Sequence, residues 1–229
     1  MNKKNQGLFS SFKGSIFIIL TLCLALLSAA ACSTNSTAPV NSDPVEGSKA
    51  YNYFKNALPN ENEFYIAFGM EGIAQNAAYR ANAEVAVKGE NVYVNYTAGD
   101  INFCSILKEG TLYMLNKRAR TYARVPIENQ MSLFSNALFD SERLNTLTYT
   151  SGEMEIGGVT YASEEYVDGA SQVTYLFDES GSLTYIINNT NGNDIQMEIL
   201  EFSGEVTDEM FNFPVDFTED TSTSLEINP

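Results

Sequence analysis

From residue 63 onward the chain alternates apolar and polar positions with a period of two. Phe64, Ile66, Phe68 and Met70 interleave with Tyr65, Ala67, Gly69 and Glu71, as in a strand with one buried face. Val85 and Val87 repeat the pattern, Lys88-Gly89-Glu90-Asn91 supplies turn residues, and Val92, Val94 and Tyr96 resume it. This predicts an antiparallel hairpin. Ile101 to Leu107 and Thr111 to Asn116 read as two more strands split by Glu109-Gly110, and Thr121 to Val125 pairs back across Lys117-Arg118-Ala119-Arg120.

Two stretches break this period. Tyr51, Phe54 and Leu58 have helical spacing, so a short helix is predicted from about Lys49 to Leu58, stopped by Pro59. Ile127, Met131, Phe134 and Leu138 form one apolar stripe, which predicts a second helix over Ile127 to Asp140. Strands follow over about 145–156, 158–167, 172–178, 182–189 and 195–203, punctuated by Gly, Asn and Asp turns. Short turns between successive strands make the sheet antiparallel, and helices segregated from strands make the class α+β.

The N-terminus follows another logic. Lys3, Lys4 and Lys13 precede an apolar run from Ile16 to Leu27, then Ser28-Ala29-Ala30-Ala31 and Cys32. The run is short for a membrane-spanning helix, and small residues before a Cys favour processing. Leu26-Leu27-Ser28-Ala29-Ala30-Ala31-Cys32 resembles a bacterial lipoprotein lipobox. The expected organisation is a signal peptide over 1–31, a lipid-bearing Cys32, a tether over 32–48, a single domain over 49–218 and a polar tail over 219–229. The protein would be extracytoplasmic and anchored to the bacterial cell membrane by an N-terminal diacylglycerol.

Processing sharpens the charge. The whole chain of 229 residues carries 13 Lys+Arg against 29 Asp+Glu, a net of -16. Residues 1–31 contain three of those bases and none of the acids, so the processed chain stands at -19. Such a surface repels phosphate backbones, which argues against nucleic acid. Cys23 leaves with the signal and Cys32 takes lipid, so Cys104 is left alone in an apolar run, as a packed small hydrophobe.

Two passages carry a family resemblance. Leu107 to Asn116 with Tyr122-Ala123-Arg124-Val125-Pro126 is one, and Val206 to Pro214, ending Phe211-Asn212-Phe213-Pro214, is the other. With the leading helix, the antiparallel strands and the mid-chain helix, they make the chain resemble the LolA/LolB and LppX/LprG superfamily. The resemblance implies a strongly curved antiparallel half-barrel, with an N-terminal helix and a central inserted helix covering a hydrophobic cavity. Residues 84–97 hold no Arg where LolA-type carriers place one, and the lipid anchor is a LolB or LppX-like trait.

On that frame, Phe64, Ile66, Phe68, Val92, Val94, Tyr96, Leu112, Met114, Tyr175, Phe177, Tyr185 and Ile187 are candidates for one concave face, covered by Met131, Phe134 and Leu138. An ordinary filled core satisfies the same pattern. The function implied is non-catalytic binding of an acyl chain, lipid or lipidated protein. The alternative is a tethered module that binds an envelope protein. A monomer without cofactor or metal is expected.

Other chemistry is thin. The chain has no His, hence no imidazole base and no His-ligated zinc. Ser105-Ile106-Leu107-Lys108 matches S-x-x-K but lies in a strand pattern without the partner motifs. The pairs Glu153/Glu155, Glu164/Glu165 and Asp178/Glu179 read as solvated strand faces and turns. Lys117, Arg118, Arg120 and Arg124 gather four bases at one hairpin, either a self-stabilised tip or a patch for anionic lipid or an acidic partner.

Overall fold

A computed structural model describes residues 47–58, 60, 62–74, 77–126, 139–168, 171–190 and 193–220. The first helix, α1, spans Lys49–Ala57. Six strands follow: β1 Glu63–Ala74, β2 Ala77–Lys88, β3 Asn91–Ala98, β4 Ile101–Lys108, β5 Thr111–Asn116 and β6 Thr121–Pro126. The short helix α2, Ser141–Leu144, leads into β7 Tyr149–Ile156, β8 Val159–Asp168, β9 Ser171–Phe177, β10 Leu183–Thr190 and β11 Asn193–Ser203. A 3-10 turn at Asp208–Phe211 and the two-residue β12, Thr218–Glu219, close the described chain.

All twelve strands belong to one sheet, ordered β12-β6-β5-β4-β3-β2-β1-β11-β10-β9-β8-β7. Within β1 to β6 and within β7 to β11 consecutive strands pair as antiparallel hairpins, and the two halves join where β1 meets β11 in the middle. Only β12 runs parallel, along β6. The sheet is open and curved.

The curved antiparallel α+β architecture is the expected one. β1 and β2 are each twelve residues long, reaching through the Ala-rich segment 77–83 that the alternation left unassigned. Of the expected helix over Ile127 to Asp140, residues 127–138 lie outside the described residues. Its last residue has a different job. Asp140 is the N-cap of α2, accepting a hydrogen bond from the Arg143 N–H at 3.1 Å.

Each face of the sheet carries its own apolar cluster. The inner face gathers Phe64, Ile66, Phe68, Val94, Tyr175, Phe177, Ile186 and Met197 under α1, Phe139 and Leu144. The outer face of β2 to β5 buries Ala86, Cys104, Ile106 and Leu115 beneath Val206 and Phe211. The chain after β11 thus crosses the back of the sheet before reaching β6.

Candidate functional site

The inner face is built around α1. Ser48 caps the helix, its Oγ accepting from the Tyr51 N–H at 2.9 Å. The first turn contains no acid of its own. One comes from β8: Glu164, 4% exposed, accepts from Lys49 N at 2.6 Å, Ala50 N at 2.9 Å and Ser48 Oγ at 2.8 Å. The Tyr166 hydroxyl also hydrogen-bonds Ser48 Oγ. A carboxylate on the positive end of a helix, with three donors, offsets the cost of burying its charge. Glu164 is therefore a structural clamp and not a solvated face residue. Burial and the nearby Glu164 push the Tyr166 phenol up.

From that clamp α1 lies along the sheet. The Phe54 ring packs 5.4 Å from Tyr175, 5.7 Å from Phe139 and 5.7 Å from Phe202. Tyr53 meets Phe177 at 5.9 Å. These edge-on contacts are the usual geometry of buried rings.

The residues expected to share one concave face divide. Phe64, Ile66, Phe68, Val92, Val94, Tyr96, Tyr175 and Phe177 are buried in the inner cluster, with Met114 half-buried against it. Leu112 is buried in register with Leu107 on the same side. Tyr185 and Ile187 point the other way, which corrects their assignment to the concave face. Between Leu183 and Tyr185 the pairing of β10 with β9 shifts by one residue, so Thr184 is a bulge. One extra residue inverts the faces beyond it, and Ile186 points inward instead. Met131, Phe134 and Leu138 lie outside the described residues, as does Cys32.

The basic hairpin is partly neutralised by the returning chain. Arg120 bridges Asp216 at 3.1 Å, and Arg124 Nε reaches Glu219 at 2.8 Å. The Lys117 ammonium donates to Asn95 Oδ1 at 2.9 Å. Arg118 has no charged partner among the described residues. Both acids come from the segment that places β12 on β6, where Thr218 N donates to Arg120 O at 3.0 Å.

Cys104 is buried in the outer cluster beside Tyr93. Burial pushes its thiol up, which suits a packed side chain and opposes a nucleophilic thiolate. Glu153 and Glu155 stand exposed on β7. Asp178 folds the β9–β10 turn, its Oδ1 accepting from Ser180 Oγ, Ser180 N and Ser182 N. Those bonds, Ser180 first, lower its carboxyl below the usual range.

A feature that the alternation did not single out lies on the outer face. A depression of about 560 Å³ is lined by Gly69 together with its cross-strand neighbours Asn82 and Glu198. Glu71 and Arg80, directly opposite each other on β1 and β2, pair beside it at 2.6 Å. Tyr185 stands on its wall, edge-on to Tyr161 at 5.3 Å. The signal available in the sequence was an unforced glycine in mid-strand.

No protein-family model matches the chain, and no curated protein does. Solved structures do. The chain is similar to LprF from Mycobacterium bovis at 10% identity and a TM-score of 0.43, over 72% of this chain and 96% of that one. It is similar to the lipoprotein LppX from Mycobacterium tuberculosis at 13% identity and 0.41, over 72% and 99%. A LolA superfamily protein from Nitrosomonas europaea is similar at 14% identity and 0.35, over 72% and 96%.

Proposed function

We propose that the protein is a lipid-anchored, extracytoplasmic lipoprotein that binds or carries an acyl chain, a lipid or a lipidated protein on the inner face of its sheet, without catalysis. The observation that supports this reading is the composition of that face. From β1 to β3 and across β8 to β11 it is largely aromatic and aliphatic, with Asn188 adding a buried amide, and its buried carboxylate, Glu164, is already committed to α1. Burial of apolar ligand surface would drive binding at about 25 cal/mol per Å². Cys32 would carry the diacylglycerol, and the tether would hold the domain off the bilayer.

Dense packing of Phe54 against Tyr175, Phe139 and Phe202 favours a second reading, a filled-core module whose partner is an envelope protein. Organic extraction of the purified chain followed by mass spectrometry separates the two. A lipid recovered near one per protein supports the carrier. Its absence, with no uptake of added fatty acid or phospholipid, leaves the interaction module. Incorporation of labelled palmitate that is lost in Cys32→Ala tests the anchor.

A further inference from the structure

Gly69 stands inside a twelve-residue strand, between Asn82 on β2 and Glu198 on β11. Its φ is not among the positive ones, so no turn geometry requires a glycine there. Glycine in a strand interior weakens the strand and often marks close approach by a ligand or another backbone. Among the described residues, no backbone atom is a nearest neighbour of this space. A methyl group at Gly69 would meet side-chain atoms only, Asn82 Oδ1 at 3.6 Å and Glu198 Oε2 at 3.9 Å being the nearest. The missing side chain makes the floor of the basin.

The size and chemistry of the basin define its occupant. Its volume of about 560 Å³ lies in the range of small-molecule sites. Asn82 and Gln196 present amides that both donate and accept. Glu71 and Glu198 accept, and the guanidinium of Arg80 is already tied to Glu71. The excess charge is one negative, which disfavours phosphates and uronates. An acyl chain would leave these polar groups unpaired. The Tyr185 ring, held by Tyr161, offers an aromatic surface to the C–H face of a ring-shaped ligand. Many hydroxyls around an apolar ring face, with positive charge preferred, describe an amino sugar.

We propose that the outer-face basin around Gly69 binds a saccharide bearing free amino groups. This site is independent of the inner face, so its fate and that of the lipid reading are separable. Calorimetric titration of the full chain in detergent micelles would use three probes: a glucosamine tetramer, its N-acetylated counterpart and a galacturonate tetramer. The glucosamine tetramer is expected to bind, the N-acetylated one about tenfold more weakly, and the galacturonate not at all. Gly69→Val and Tyr185→Ala should each weaken binding about tenfold or more, with far-ultraviolet circular dichroism unchanged. Glu198→Gln, which keeps the shape, should reduce the preference for the free amine. Failure of wild type to bind the glucosamine tetramer, tightest binding of the galacturonate, or full affinity in both Tyr185→Ala and Glu198→Gln would overturn the proposal.

Discussion

Glu164 is where a single side chain does most to set the architecture. Its carboxylate ends three hydrogen bonds at the start of α1, from a strand 114 to 116 residues away in the chain. Replacing it with Gln keeps the volume but removes the charge and aims an amide N–H₂ at groups that also donate. Charge-assisted hydrogen bonds contribute about 1.5–3 kcal/mol, and buried donors left without acceptors cost a similar amount. Glu164→Gln should therefore lose about 2–3 kcal/mol, which lowers Tm by roughly 4–12 °C for a chain of this size. Glu164→Asp retains the charge and should recover part of the loss. Thermal unfolding followed by circular dichroism checks both, and an unaltered Tm in Glu164→Gln would remove the clamp from the account.

At the scale of elements, the segment after β11 matters as much as the strands. Phe211 is 2% exposed where it covers the outer face, and Phe213 packs against Tyr122 at 4.4 Å and Tyr113 at 5.2 Å. Truncating a buried Phe to Ala typically costs about 3–5 kcal/mol. Phe211→Ala should thus destabilise the chain by about 3 kcal/mol and open a path to Cys104, which shares its cluster. Faster alkylation of the Cys104 peptide, read by mass spectrometry at matched pH, is the expected signature. Equal rates would mean that the cover is not held by Phe211. These elements also mark what the sequence could tell. Hairpins such as β2–β3 were legible because period-two alternation meets turn residues at Lys88 to Asn91. The faces of Tyr185 and Ile187 were not, because the bulge at Thr184 depends on how β10 twists against β9. The Glu164 clamp was hidden by sequence separation, and an acidic pair in an acidic chain looks solvated. The Gly69 basin needs two cross-strand neighbours that only register supplies.

For the whole molecule, the same burial that builds two cores predicts how stability depends on pH. Burial is the first cause raising the phenols of Tyr53, Tyr65, Tyr93, Tyr166, Tyr175 and Tyr185, and it also raises the Cys104 thiol. In every case the folded pKa exceeds the unfolded one, near 10 for Tyr and 9 for Cys. The folded state then holds protons that the unfolded chain has released, so stability falls as pH rises. This contribution is complete below about pH 9 and is lost as pH climbs toward the folded values. Lys88 acts in the same direction, its raised pKa being due first to the Asp208 hydrogen bond. At the acid end Asp208 and Asp178 are lowered, by Lys88 and by Ser180 first, so their contribution is present above about 4 and lost below. Urea midpoints should thus hold between about pH 5 and 8 and drop by about pH 10.5. Self-repulsion of a net -16 chain would also weaken the fold at alkaline pH. Near-ultraviolet tyrosinate absorbance separates the two causes. At about pH 11 the folded chain should show fewer ionised tyrosines than the same chain in urea, because buried phenols resist deprotonation and charge repulsion alone leaves exposed ones free to titrate.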